Sequence, residues 1–121
     1  MKKAFALASL ILFLISIVAG GCRSAFVSTT ITNNSGAQVT LLEVDYPSAS
    51  FGIGALAPGA QFHYRFKIQG GGPIKLQFTD ASGKLHSATG PDLQQGEEGT
   101  LQVSIDSSGN ISWIPNLTRI R

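Results

Sequence analysis

Residues 61–69, QFHYRFKIQ, alternate strictly between apolar and polar side chains. The even positions carry Phe62, Tyr64, Phe66 and Ile68, and the odd positions carry polar or basic groups. Because successive side chains of a β-strand point to opposite faces, this alternation predicts a strand with one buried and one exposed face. The stretch ends at Gly70-Gly71-Gly72-Pro73, a combination that typically terminates a strand.

The same alternation recurs along most of the chain from residue 25 onward. Strands are predicted at residues 25–32, 39–46, 51–55, 61–69, 74–79, 85–89, 101–106 and 111–114. Turn residues separate them, as at Asn33-Asn34-Ser35-Gly36, Ser82-Gly83 and Ser108-Gly109-Asn110. The apolar phase changes within 39–46, which predicts a β-bulge near Leu41-Leu42, and the polar stretch 90–99 is predicted to be a loop. Seven or eight short strands with no convincing helix predict an antiparallel β-sandwich or a small barrel.

The N-terminus carries a charged start and then a long apolar run. Lys2 and Lys3 precede the uncharged residues Ala4–Ala19, and the run leads into Gly20-Gly21-Cys22. A transmembrane helix is the alternative interpretation, but it needs roughly 20 apolar residues, whereas the core of a signal peptide is shorter. The length therefore favours a signal peptide.

The segment Ala19-Gly20-Gly21-Cys22 resembles the cleavage site of a bacterial lipoprotein signal peptide. The resemblance implies that Cys22 is acylated and becomes the new N-terminus, which anchors the protein in the cell envelope, facing the periplasm. A plain secretory signal also fits, but it leaves the one cysteine free in an oxidising compartment. Arg23 stands where an Asp favours inner-membrane retention in enterobacterial lipoproteins, so the resemblance favours the outer membrane.

Removing residues 1–21 leaves a chain long enough for one small domain. Lys2 and Lys3 leave with the signal peptide, so that seven basic residues balance seven acidic ones. This balance argues against nucleic acid as a partner, and a single cysteine excludes a disulfide within the chain. The predicted organisation is a signal peptide at 1–21, a tether at 22–27, a β-sandwich at 28–116 and a C-terminal tail at 117–121.

A second resemblance covers roughly residues 29–68. The Asn33–Gly36 turn, the segment Leu56-Ala57-Pro58-Gly59 and the aromatic strand 61–69 are similar to features of small bacterial Ig-like envelope domains. The resemblance implies an Ig-like sandwich. It also implies an adhesive, accessory or interaction role rather than an enzymatic one.

Pairing the strands 61–69 and 74–79 as a hairpin predicts a basic outer face. Lys67 then lies opposite Lys75, and His86 is expected to join them from the next strand. Like charges directly opposite one another destabilise a sheet slightly, so this face is a candidate docking site for an anionic envelope protein, glycan or lipid. The alternative is a solvated face whose long side chains oppose aggregation. The candidate partner-binding residues are His63, Arg65, Lys67 and Lys75.

No pattern in the sequence indicates catalysis, a cofactor or a metal. The letters Gly52-Ile53-Gly54-Ala55-Leu56-Ala57 match a dinucleotide-binding fingerprint, but Pro58-Gly59 prevents the helix that must follow. The chain has no Gly-x-Ser-x-Gly nucleophile elbow, and His63 and His86 have no evident third metal ligand. We therefore predict a non-enzymatic protein with no cofactor and no metal.

Two classes of function remain. The first is a lipid-anchored interaction or structural module that docks a partner through the basic face or an exposed edge strand. The second is a small-ligand carrier that binds in the sandwich interior, or in a barrel mouth near Tyr46, Phe51 and Trp113.

Overall fold

The computed structural model describes residues 25–119, which form eight β-strands and no helix. No helix among these residues is long and apolar enough to cross a membrane. The signal peptide and Cys22 predicted above lie outside the described residues. The strands are β1 (Val27–Asn33), β2 (Val39–Tyr46), β3 (Ala49–Leu56), β4 (Gln61–Phe66), β5 (Gly72–Thr79), β6 (Leu85–Leu93), β7 (Glu97–Ile105) and β8 (Ile111–Arg119).

The strands form two four-stranded sheets that pack face to face. Sheet I has the order β4-β1-β7-β8, and sheet II has the order β3-β2-β5-β6. This arrangement confirms the predicted β-sandwich. Five strand pairings are antiparallel. The pairing of β1 with β7 is parallel and departs from the predicted antiparallel arrangement.

The core lies between the sheets and consists of the apolar face of each strand. Ile31 and Leu101 of sheet I are fully buried, as are Ile74 and Phe78 of sheet II. Burial of each such side chain contributes roughly 1.5–3 kcal/mol. The sandwich is therefore held together by the alternating apolar positions that predicted it.

The predicted β-bulge in β2 is confirmed. The register between β2 and β5 shifts between Thr40 and Glu43. Leu41 adopts a φ of 49° and is 69% exposed, whereas Leu42 is 2% exposed. The extra residue moves the apolar positions of β2 from one phase to the other, so that both halves of the strand contribute to the core.

The predictions of a loop at 90–99 and of a tail at 117–121 are wrong in part. Strand β6 continues to Leu93, and β7 begins at Glu97. Strand β8 continues beyond Pro115 to Arg119, which pairs with Glu97. Because β6 and β8 are edge strands, a proline in each can leave its missing N–H on the unpaired side.

The strand directions place the connections at two opposite ends of the sandwich. The end at which β1 begins, here called the proximal end, also holds the β2–β3, β4–β5 and β6–β7 connections. The distal end, at which β1 stops, holds the β1–β2, β3–β4, β5–β6 and β7–β8 connections. Seven residues of β1 separate the two ends, a span of about 20 Å.

Candidate functional site

Three of the four connections at the distal end share one sequence pattern. They are Asn33-Asn34-Ser35-Gly36, Asp80-Ala81-Ser82-Gly83 and Asp106-Ser107-Ser108-Gly109. Each begins with a side-chain amide or carboxylate oxygen and has Ser-Gly at the third and fourth positions. The fold therefore brings three copies of one turn together at one end of the molecule.

The three turns also share their geometry. The first side-chain oxygen, Oδ1, accepts the backbone N–H two residues on, at 3.1 Å for Ser35, 2.9 Å for Ser82 and 2.9 Å for Ser108. The glycines of the three turns have φ values between 79° and 88°. An Asx turn followed by a left-handed glycine is a compact reversal, which lets the turns approach one another.

A cleft of about 250 Å³ lies between these turns. Its walls carry four serine hydroxyls, one amide, one carboxylate and one histidine, and Val39 and Phe78 contribute to its lining from the buried core. The polar lining side chains are Ser35, Gln38, Asp80, Ser82, His86, Ser107 and Ser108. A concave site with an apolar base and a few convergent polar groups is the usual form of a small-molecule site.

His86 occupies the centre of the contacts around this cleft. Its Nε2 lies 2.7 Å from Oδ2 of Asp80. Its ring stacks on Phe78, with centroids 4.8 Å apart and planes 7° from parallel. Gly109 faces the same ring so closely that a Cβ at that position would collide with it. His86 therefore links the turns β5–β6 and β7–β8.

Asp80 is held as a carboxylate by its neighbours. The hydroxyl of Ser82 donates to Oδ1 at 2.6 Å, and the backbone N–H of Lys84 donates to the same oxygen at 3.0 Å. These bonds, led by that from Ser82 and followed by that from His86, lower the pKa of Asp80 far below its usual value. An ionised Asp80 can only accept hydrogen bonds, which decides the roles in its contact with His86.

The predicted basic face does not form one surface. Strand β4 pairs with β1 in sheet I rather than with β5, so Lys67 does not lie opposite Lys75. Lys75 instead lies opposite Asp45 of β2, a pairing of unlike charges, and opposite Thr89 of β6. Alternation within β4 shows which face of the strand is buried, but it does not show which sheet the strand joins. The predicted hairpin was wrong for that reason.

The four candidate partner-binding residues are therefore divided between two sheets. His63 and Arg65 lie on the outer face of sheet I, where His63 contacts Thr30 and the guanidinium of Arg65 stacks on Phe26 at 4.0 Å. Lys67 follows the end of β4 and is exposed, and Lys75 is exposed on sheet II. The structure brings only His63 and Arg65 together.

His86 also differs from its predicted position. It lies opposite the buried Phe78 rather than on the predicted outer face, and it is half-buried. The two histidines thus lie on different sheets and do not share an outer face. Within residues 25–119, no group of three His, Cys, Asp or Glu side chains is arranged to hold a metal ion.

The aromatic residues considered for a carrier site do not line one space. Phe51 stacks on Tyr64 at 4.0 Å, and Tyr46 stacks on Phe66 at 4.3 Å, so both lie beside β4. Trp113 lies on β8, where it contacts Gly90 of β6 on the other side of the sandwich. The core between these aromatic groups is filled by buried aliphatic side chains.

The distal cleft was missed at the level of sequence, although each of its three turns was identified as a turn. The available signal was the repetition of Asn/Asp-x-Ser-Gly after three different strands. Its significance depends on strand direction, because only connections at the same end of a sandwich can form one site. A count of strands from β1 onward would have placed all three at the same end.

Comparisons with known proteins support the fold and nothing narrower. No protein family matches the chain, and no curated protein matches it. A solved structure is similar to it, the NMR structure of a protein from Eubacterium rectale. The similarity has a TM-score of 0.54 and 11% sequence identity, and it covers 74% of this chain and 86% of that one. At this identity the likeness shows the β-sandwich fold alone.

Proposed function

We propose that this protein is a lipid-anchored, non-enzymatic module of the bacterial cell envelope that holds a partner at its distal end. The observation that carries the proposal is the position of the cleft, at the end of the sandwich opposite the start of β1. A tethered domain with this geometry presents its binding loops away from the membrane.

The lipid anchor enters the proposal through Cys22 and the signal-like segment before it. Cys22 precedes Ala25 by three residues, and three residues of chain reach at most about 11 Å. The length of β1 then separates an anchor at Cys22 from the cleft by about 20 Å more. The basic face is not part of the proposal, because its four residues do not share a surface.

The arrangement around His86 supports a binding role rather than nucleophilic catalysis. A serine nucleophile must be hydrogen-bonded to the histidine that activates it. Among residues 25–119, Ser82 donates its hydroxyl proton to Asp80, and no serine hydroxyl is bonded to the imidazole. The Asp80–His86 pair therefore positions the ring, and the serines that line the same cleft are not hydrogen-bonded to it.

The anchor is tested by metabolic labelling of cells with an alkyne fatty acid. We expect wild-type chain to carry the label and to fractionate with membranes. The Cys22→Ala variant should carry none, because it has no other thiol. A wild-type chain without label, or a variant that keeps it, overturns lipid anchoring at Cys22.

The orientation is tested by photo-crosslinking in intact cells from two exposed turn serines. A probe at Ser108 samples the distal end, and a matched probe at Ser48, in the β2–β3 connection, samples the proximal end. We expect an adduct from Ser108 that Ser48 does not produce. Adducts from Ser48 alone, equal adducts from both positions, or none from either contradict a partner at the distal end.

A further inference from the structure

We propose that the distal cleft binds a neutral saccharide unit, one hydroxyl of which donates a hydrogen bond to Nδ1 of His86. This inference rests on the proposed function for the place of the cleft in the envelope, and it adds the chemical class of the ligand. The class follows from the tautomer that the contact with Asp80 selects in neutral His86, from the position of the ring at the cleft and from the composition of the walls.

The contact with Asp80 decides which nitrogen of His86 carries the proton. The carboxylate accepts, so Nε2 must donate to Oδ2 across the 2.7 Å contact. In the neutral ring the other nitrogen, Nδ1, is then an acceptor. In its neutral form His86 therefore offers one lone pair, at Nδ1, and stacking on Phe78 holds the plane of the ring.

The ring that carries this nitrogen lies at the wall of the cleft. Within residues 25–119, the hydrogen bond of the His86 ring is made by Nε2, and Nδ1 has no hydrogen-bond partner in the protein. The side chain of His86 is 17% exposed and lines the cleft. A hydroxyl group of a ligand can therefore donate a hydrogen bond to Nδ1 in place of water.

The walls favour a neutral ligand rich in hydroxyl groups. Among residues 25–119, no lysine or arginine lines the cleft, so His86 is the one basic side chain of these residues that an anion could meet there. The Asp80 carboxylate already accepts hydrogen bonds from Ser82, Lys84 and His86, which leaves little capacity for a cation. The side chains that remain, Gln38, Ser107 and Ser108, are uncharged groups that both donate and accept.

The size of the cleft limits the ligand to one small unit. Its volume of about 250 Å³ lies just below the range of roughly 300–1,000 Å³ found for drug-sized ligands. A single sugar ring presents several hydroxyls at short spacing together with an apolar ring face. These features match the serine-rich walls and the apolar base, so a monosaccharide unit fits better than an extended peptide.

Asp80→Asn tests whether Nδ1 of His86 is the acceptor, because the orientation of the new amide can be predicted. Three donors converge on Oδ1 of Asp80, so the amide oxygen of the variant should take that position. The amide NH₂ then faces Nε2 and requires it to accept, which moves the ring proton to Nδ1. The variant thus turns the proposed acceptor into a donor while the turn is retained.

Asp106→Asn is the matched control. Asp106 accepts the same backbone bonds in its own turn, from Ser108 and Asn110, each at 2.9 Å. It has no histidine partner among the described residues, so the substitution changes the same group without changing the tautomer of His86. A loss of sugar binding that is caused only by a weakened distal turn should therefore appear equally in both variants.

The experiment is an NMR titration of the ¹⁵N-labelled full chain in a zwitterionic detergent without a sugar headgroup. The probes are glucose and N-acetylglucosamine, with glucose 6-phosphate as the charged comparison. Long-range imidazole spectra report the tautomer of His86, and a His63→Gln background removes the only other histidine signal. We expect a saturable shift at Nδ1 of His86 and at the amides of Ser82 and Ser108, weaker for the phosphate.

In Asp80→Asn we expect a protonated Nδ1 and binding weaker by about twofold to tenfold, the effect of one neutral hydrogen bond. Asp106→Asn should bind as wild type does. No saturable shift up to the solubility limit of both neutral sugars, or shifts confined to residues outside the cleft, overturns the proposal. Equal binding by Asp80→Asn with a confirmed change of tautomer overturns the role of Nδ1. These results concern purified protein, so they are independent of labelling at Cys22.

Discussion

Asn33 is expected to be the polar residue that contributes most to the stability of the domain. Its side chain is fully buried where β1 ends. Nδ2 donates to the carbonyl oxygens of Leu56 at 2.9 Å and of Ala37 at 2.8 Å, and Oδ1 accepts the N–H of Ser35. One amide thus connects the β1–β2 turn to the end of β3.

The cost of Asn33→Ala can be worked out from these contacts. Each of the three hydrogen bonds contributes about 0.5–1.5 kcal/mol net, and the buried carbonyl of Leu56, left without a donor, costs about 1–3 kcal/mol more. Some carbonyls will find water in the space that is vacated, so we expect a loss of about 3–5 kcal/mol in the free energy of unfolding. That is a large share of the roughly 5–15 kcal/mol typical of a domain.

The assay is urea unfolding followed by the fluorescence of Trp113, the one tryptophan of the chain. Asn34→Ala is the matched control, because Asn34 is adjacent in the same turn and its side chain is exposed. It should change stability by less than about 0.5 kcal/mol. The isosteric variant Asn33→Asp keeps the shape of the side chain but removes its hydrogen-bond donor. Its carboxylate places a negative oxygen against the carbonyl oxygen of Leu56. It should destabilise the domain at neutral pH at least as much as alanine does.

The reasoning is refuted if Asn33→Ala costs less than about 1 kcal/mol, the value of a single ordinary hydrogen bond. It is also refuted if Asn33→Asp is as stable as wild type at neutral pH. The latter result would show that the hydrogen bonds donated by Nδ2 contribute nothing and that the residue acts through its volume alone.

Three further predictions concern single positions. Thr29→Val should raise the free energy of unfolding by about 1 kcal/mol in urea, because the enclosed Oγ1 has no partner; a loss of stability would show that this hydroxyl is satisfied. The lowered pKa of Asp80 means that its stabilisation is complete above its unfolded pKa and is lost as the pH falls. The free energy of unfolding should therefore fall less steeply with decreasing pH in Asp80→Asn than in wild type, and identical curves would contradict this. Gly90→Ala should destabilise the domain and change Trp113 emission, because the new Cβ would lie 2.7 Å from the indole ring; an unchanged spectrum with unchanged stability would exclude that contact.

Local features of the sandwich were predictable because they depend on neighbours in the chain. Alternation identified most strands, and the phase change in 39–46 identified the bulge at Leu41. The end of β6 was misplaced because the stretch 90–99 is polar, and that of β8 because the strand was predicted to end before Pro115. A proline is tolerated on the outer side of an edge strand, and the sequence does not show which strands lie at an edge.

The candidate site could not be predicted in the same way. Its components, the turns and His86, were each visible, but their association depends on the register and direction of distant strands. A shift of one residue in the β5–β6 hairpin moved His86 from the predicted outer face to its place against Phe78, because side chains alternate with a period of two.

The sequence by itself determined the fold class, the positions of the turns and the buried face of each strand, because these follow from side-chain alternation and from the backbone preferences of Gly, Asn and Asp. Tertiary structure alone decided that β4 joins β1 rather than β5, that Lys75 faces Asp45, and that three similar turns surround one cleft. These facts are non-local. Many pairings bury the same apolar faces, and the one adopted is selected by the packing of the whole core.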